Sequence, residues 1–153
     1  MREIQVRGAY CRQYPIINED LEDTQLCLKL LIDDIKRELK RKSINLVCTG
    51  TSGLYIATLM KVLEPELFTI VYLRKDGEGA HSGKVIQRKN RAKTFMFVDD
   101  FIASGRTFDD CAYKLYNETS NNLTHVMTLG GGGDRTVLNR MTDFGIQIYF
   151  KGG

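Results

Sequence analysis

No two of the four cysteines, Cys11, Cys27, Cys48 and Cys111, stand three positions apart, so the chain offers no C-x-x-C pair for zinc or thiol redox chemistry. Scattered this widely, they read as core-packing residues of a protein kept in a reducing compartment, and a cytoplasmic location is expected. In such a compartment the sequons at Asn117 and Asn122 are chance matches. A long apolar run is also lacking. The longest uncharged stretch, from Ser43 up to Lys61, is interrupted by Thr49-Gly50-Thr51-Ser52-Gly53, which argues against a lipid-facing helix. The N-terminus, Met1-Arg2-Glu3-Ile4-Gln5, has an acidic residue and no apolar core, so a signal peptide is not expected. Charge of one sign is in short supply too: 22 basic against 19 acidic residues leave a net +3, which tolerates an anionic ligand without arguing for nucleic acid. The basic run Lys36 to Lys42 falls where a helix should end, where cations complement the helix dipole.

What is present is an alternation of apolar strands and helices. With 153 residues the chain suits a single domain over 1–153. Asn18 is placed to cap a helix whose apolar positions Leu21, Leu28, Leu31, Ile32, Ile35 and Leu39 keep helical spacing. The strand Leu46 to Cys48 follows, then a Gly/Thr/Ser turn, then a helix from about Leu54 to Leu63, ended by Pro65. Phe68 to Leu73 reads as a buried strand, and residues 74–91 as a long polar loop with room for a short strand near Val85-Ile86. Further strands are expected at Thr94 to Val98, Leu123 to Leu129 and Ile146 to Phe150, with helices over Thr107 to Asn117 and Arg135 to Met141. Continuous apolar strands alternating with helices imply an α/β fold with a central, mostly parallel sheet covered on both faces. Ligands in such folds bind beyond the carboxyl ends of the strands, and the loops at Thr49 to Gly53, Arg74 to Arg91 and Asp99 to Thr107 all leave those ends.

The chemistry is densest in the third of these loops. Asp99-Asp100 ends a buried strand, where paired carboxylates need donors or a cation. Phe101-Ile102-Ala103-Ser104-Gly105-Arg106-Thr107 then presents small side chains, hydroxyls and backbone amides just before a helix, the arrangement that holds a phosphate dianion. Gly105 admits close backbone approach, and Ser104 and Thr107 can donate from their side chains. The ligand implied has vicinal hydroxyls at one end and a phosphate at the other, as ribose 5-phosphate does.

This segment resembles the phosphoribosyl pyrophosphate signature of the type I phosphoribosyltransferases: apolar strand, two acids, two apolar residues, a small residue, Thr or Ser, Gly, a variable residue, Thr. It departs from that pattern in Ser104, where Thr is commoner, and in Phe101, where a smaller aliphatic is usual. The resemblance implies that Asp99 and Asp100 hold the ribose 2- and 3-hydroxyls and that Ala103, Ser104, Gly105, Arg106 and Thr107 wrap the 5-phosphate. Thr49, Gly50, Thr51, Ser52 and Gly53 resemble the family's diphosphate-binding loop. Residues 74–91 resemble its mobile catalytic loop, most closely the orotate branch, with Arg74, Lys75 and His81 as participants; a serine separates His81 from Gly83, where the family places them together.

The reaction so implied transfers ribose 5-phosphate from phosphoribosyl pyrophosphate to a nucleobase nitrogen, with Mg²⁺ riding on the donor near Asp99 and Asp100. The alternative is a sensor that binds the same donor without turning it over. No nucleic-acid or membrane partner is expected, and a homodimer is expected by analogy, with Tyr10, Tyr14 and Pro15 as interface candidates. Residues 1–20 and the turn after Leu129 are the two places for a base-recognising hood. Gly130-Gly131-Gly132-Gly133 admits close approach of a base or backbone, or serves as a flexible turn. Two other motifs fail on spacing: a P-loop ending at Gly83-Lys84 would need glycine at Glu78 and a hydroxyl after Lys84, and Gly77 to Ser82 lacks the final glycine of a dinucleotide loop.

Overall fold

The computed structural model describes residues 3–6, 20–74, 92–130 and 135–151. Their elements run β1 (Glu3–Val6), α1 (Leu21–Leu39), β2 (Ile44–Cys48), α2 (Gly50–Leu63), β3 (Phe68–Tyr72), β4 (Phe95–Asp99), α3 (Arg106–Thr119), β5 (His125–Thr128), α4 (Arg135–Asp143) and β6 (Gln147–Lys151). The six strands form one sheet in the order β1-β6-β5-β4-β2-β3. Every pairing is parallel.

Parallel strands need both faces covered, and side-chain alternation sorts the core accordingly. From β2 and β4, Leu46, Cys48, Met96 and Val98 join α1 and α2 in one apolar cluster. Their neighbours Val47, Phe95 and Phe97 join Phe108, Cys111 and Leu115 of α3 and Met141 of α4 in the other. Phe97 and Phe108 meet edge to face, with ring centroids 5.6 Å apart. The result is a three-layer α/β/α sandwich with β4 near its middle.

Helix α1 shows how local sequence sets the boundaries. Its buried stripe is Thr24, Cys27, Leu28, Leu31, Ile32 and Ile35, with Glu22 and Asp23 in the first turn and Lys36 and Arg37 in the last. Asp20 caps it by accepting from the Asp23 amide at 3.1 Å, where the sequence pointed to Asn18, which lies outside the described residues. Lys40 closes it in the left-handed conformation.

Two elements differ from expectation. Helix α2 starts at Gly50 rather than near Leu54, so Gly50 to Gly53 form its first turn instead of a loop before it. Strand β1 was not legible. It adds to the sheet edge beside β6, with Glu3 opposite Ile148 and Val6 opposite Lys151.

The strand order matters for function. From β2 the chain crosses outward to β3, then returns to β4 on the other side of β2. Helices leaving β2 and β4 therefore diverge over opposite faces, and their starts open a crevice at the carboxyl ends of these two strands.

Candidate functional site

A cavity of about 370 Å³ occupies that crevice, lined by Thr49 to Ser52 from the start of α2 and by Asp99 to Phe108 from the end of β4 and the start of α3. Its acidic wall is built by the backbone. The Asp100 amide donates to Oδ1 of Asp99 at 2.8 Å, and the Phe101 amide donates to Oδ1 of Asp100 at 2.9 Å. Each carboxylate is thus oriented by the amide that follows it. Asp100 is buried, whereas Asp99 is half-buried at the end of β4. Behind them, the Gly130 amide donates to the Asp100 carbonyl at 2.6 Å, which ties the exit of β5 to the acid pair.

The opposite end of the same loop leads into α3. Ile102 turns into the core, while Ala103 and Ser104 stay exposed. Gly105 then takes φ +83°, a left-handed conformation natural to glycine, and serves as the N-cap of α3 with no side-chain cap. A Cβ on Gly105 would lie 2.7 Å from Cγ1 of Val137 and 3.0 Å from a guanidinium nitrogen of Arg140. Arg140 in turn holds both carboxylate oxygens of Asp109 at 3.0 and 3.2 Å, so α4 braces the first turn of α3. Ser104 Oγ accepts from the Arg106 amide at 3.3 Å. The start of α3, with its dipole pointing into the cavity, faces the acids across the same space.

Helix α2 supplies the third wall. Thr49 is its N-cap, in extended conformation and without a side-chain cap hydrogen bond, and Gly50 follows at φ +70°. The first-turn amides consequently reach the cavity without a side-chain cap. Gly53 is not among the residues lining the cavity and packs on β4, where a Cβ would stand 3.0 Å from the Val98 carbonyl oxygen. The first turn of α2 can approach the end of β4 because this residue has no side chain.

Arg74 leaves the same sheet edge after β3 but is not among the residues lining the cavity. Its carbonyl accepts from Nζ of Lys114 on α3 at 2.6 Å. Lys75 and His81 lie outside the described residues, as do Gly131 to Gly133. His125, by contrast, is buried at the start of β5, at the far edge of the sheet.

Cys48, which the sequence analysis took with the other cysteines for core packing, is buried at the end of β2 beside the acids. Burial first, and then the neighbouring Cys111 and Asp99, push its thiol up to about 12. The sequence reading missed Lys114 and Arg140, whose partners lie far away in sequence, and gave Gly130 as a point of close approach without its partner Asp100. Among the described residues, no group of three or more His, Cys, Asp or Glu side chains is placed to hold a metal ion. Among those residues, too, no helix is long and apolar enough to cross a membrane.

No protein-family model and no curated protein sequence matches the chain. Solved structures do. The chain is similar to orotate phosphoribosyltransferase from Aeropyrum pernix, with a TM-score of 0.64 and 17% identity over 90% of this chain and 77% of that one. It is similar to adenine phosphoribosyltransferase from Thermoanaerobacter pseudethanolicus, with a TM-score of 0.65 and 13% identity over 95% and 94% of the two chains. It is also similar to adenine phosphoribosyltransferase from Trypanosoma brucei in complex with AMP, pyrophosphate and ribose-5-phosphate, with a TM-score of 0.62 and 15% identity over 91% and 68%. Taken with the parallel sheet and the crevice between β2 and β4, these likenesses identify the architecture: the chain has the type I phosphoribosyltransferase fold.

Proposed function

We propose that the protein is a phosphoribosyltransferase that moves ribose 5-phosphate from phosphoribosyl pyrophosphate to a nucleobase nitrogen and releases diphosphate. The observation carrying this reading is that one cavity joins an acid pair, the start of α3 and the start of α2. The donor has a matching chemistry, with vicinal hydroxyls between a phosphate and a diphosphate. In this reading Asp99 and Asp100 accept hydrogen bonds from the two ribose hydroxyls. The backbone from Ala103 to Thr107, with the hydroxyls of Ser104 and Thr107, holds the 5-phosphate. The first turn of α2, Thr49 to Ser52, receives the diphosphate.

The C1–oxygen bond to diphosphate then breaks as the base nitrogen bonds to C1, and the nitrogen proton leaves to solvent or a nearby base. The chain contributes mainly by positioning the donor and by stabilising charge on the departing diphosphate, to which Arg74, Lys75 and His81 are assigned as contributors. Magnesium fits this site as a passenger of the donor. The described residues build no three-ligand cluster of their own, while Asp99 and Asp100, with orienting amides on one oxygen each, are placed to meet a hydrated ion. When bound there, the ion would neutralise diphosphate charge.

The likeness to orotate and adenine phosphoribosyltransferases makes those two bases the first to test. Incubation with labelled phosphoribosyl pyrophosphate, Mg²⁺ and a panel of bases should release diphosphate with one of them. Saturable donor binding with no release for any base would instead make the protein a regulator that senses the donor. The same reading has it act in the cytoplasm and as a homodimer, and light scattering after size exclusion checks the dimer.

A further inference from the structure

Another cavity lies at the opposite edge of the sheet. It has a volume of about 440 Å³ and is lined by residues that immediately precede three adjacent strands: Arg41, Lys42 and Ser43 before β2, Ala92 to Thr94 before β4, and Thr124 with His125 at the start of β5. Among the described residues, the lining holds three permanent cations, Arg41, Lys42 and Lys93, together with three hydroxyls and an imidazole, and no carboxylate.

The dipole of α1 does not account for this charge. The helix ends at Leu39 and is closed by Lys40, so Arg41 and Lys42 stand beyond it, on the connection into β2. The loop bearing Lys93 is held in place by buried polar contacts. Asn45, itself buried, donates from Nδ2 to the Ala92 carbonyl at 3.2 Å and from its backbone amide to the Thr94 carbonyl at 3.0 Å. One step further along, Thr124 Oγ1 accepts from the Phe95 amide at 3.1 Å, donates to the Phe95 carbonyl at 3.1 Å, and lies 2.7 Å from Nδ1 of His125. With the hydroxyl proton on the Phe95 carbonyl, that contact puts a proton on Nδ1 and fixes the imidazole ring at the cavity floor.

Like charges gathered around one cavity repel, and among the described lining residues no carboxylate supplies a counter-charge. An anion supplies it. We infer that this edge of the sheet is a second binding site, for a phosphate-bearing small molecule of about nucleotide size, separate from the crevice at the carboxyl ends of the strands. The cavity volume is that of a small-molecule site, and three cations around it match a polyphosphate. The net charge of +3 on the whole chain makes a nucleic-acid groove the poorer match. The site does not depend on the activity proposed for the carboxyl edge.

The test is a titration of the full chain with magnesium-free ATP at low ionic strength, followed through backbone amide resonances. Shifts at residues 41–45, 92–95 and 124–125 should saturate together. Lys42→Glu with Lys93→Glu should weaken those shifts about tenfold or more, while any response of residues 103–107 to ATP is unchanged. Both positions are exposed, so the resonances of the core should stay where they are, and Lys42→Gln with Lys93→Gln should give an intermediate loss. Absence of saturable shifts at this edge, or shifts that survive the charge reversal, would overturn the assignment. So would shifts elicited only by a single-stranded oligonucleotide, which would make the patch a nucleic-acid contact.

Discussion

The amide of Gly130 reaches the carbonyl oxygen of Asp100 at 2.6 Å, and a Cβ on Gly130 would stand only 3.0 Å from that same oxygen and 3.2 Å from Cβ of Phe101. The exit of β5 therefore sets the position of the acid pair at the end of β4, and it does so at a distance only glycine permits without movement. Gly130→Ala should displace the acid turn by a few tenths of an ångström. Overpacking of this size costs about 1 kcal/mol, so affinity for phosphoribosyl pyrophosphate, read by calorimetry, should fall roughly fivefold with the fold retained. Unchanged affinity would show that the turn yields freely and that Gly130 does not position the acids.

Asp99→Asn with Asp100→Asn tests the acids themselves. Both amides keep an oxygen that can accept from the Asp100 and Phe101 backbone N–H groups, so the turn has no reason to unfold. Donor binding should be abolished, while the circular dichroism spectrum and thermal midpoint stay close to the parent's. Normal binding by this double variant would remove Asp99 and Asp100 from the site.

How much of this was legible in the sequence follows from where the partners lie. The Asp99 to Thr107 loop could be read because its chemistry is contiguous: the strand end, the acids, the small residues and the helix start follow one another within about a dozen positions. Thr49 to Gly53 was read as a turn because its glycines and hydroxyl residues are poor helix formers. Its helical state is a packing decision, made where Gly53 lets α2 settle against the Val98 carbonyl. Strand β1 has four residues, two of them polar, and exists because β6 offers an edge that lies some 140 positions away. The contacts Gly130 to Asp100, Arg140 to Asp109 and Lys114 to Arg74 join residues about 30 to 40 apart. No local pattern encodes such pairs.

Gly105 carries two separable constraints, its φ of +83° and the 2.7 Å approach its Cβ would make to Val137. An alanine in the left-handed region costs about 1–2 kcal/mol before any clash. Gly105→Ala should therefore lower the thermal midpoint by roughly 3–8 °C for a chain of this size and weaken phosphate binding at the start of α3. Adding Val137→Ala removes the methyl that crowds the new Cβ. If the double variant regained none of the loss beyond the cost of Val137→Ala alone, the backbone conformation would be the whole effect.

Cys48 should make stability fall in alkaline solution. Its thiol titrates at about 12 in the folded chain against a reference of 9.0, chiefly because it is buried. Between these values the unfolded chain loses a proton that the folded chain keeps, so the folded state binds more protons and becomes less stable as pH rises. The loss should begin near pH 9 and proceed at up to roughly 1 kcal/mol per pH unit. Denaturant melts from pH 8 to 10.5 should show this slope, and Cys48→Ala should flatten it relative to the parent. The same burial keeps Cys48 unreactive, so alkylation of the native protein at pH 8 should spare it until denaturant is added.

Lys114 connects the two ends of the proposed chemistry. It sits on α3, whose first turn lines the cavity, and its ammonium holds the carbonyl of Arg74, where the chain leaves β3. Lys114→Met removes the donor but keeps most of the side-chain length. If Arg74 acts on the departing diphosphate, loosening its backbone should lower kcat about tenfold, the scale of a lost charged hydrogen bond, with KM for the donor little changed. Lys114→Arg should restore part of kcat, since a guanidinium still donates. A loss confined to thermal stability, with kcat intact, would make the contact purely structural and detach Arg74 from the reaction.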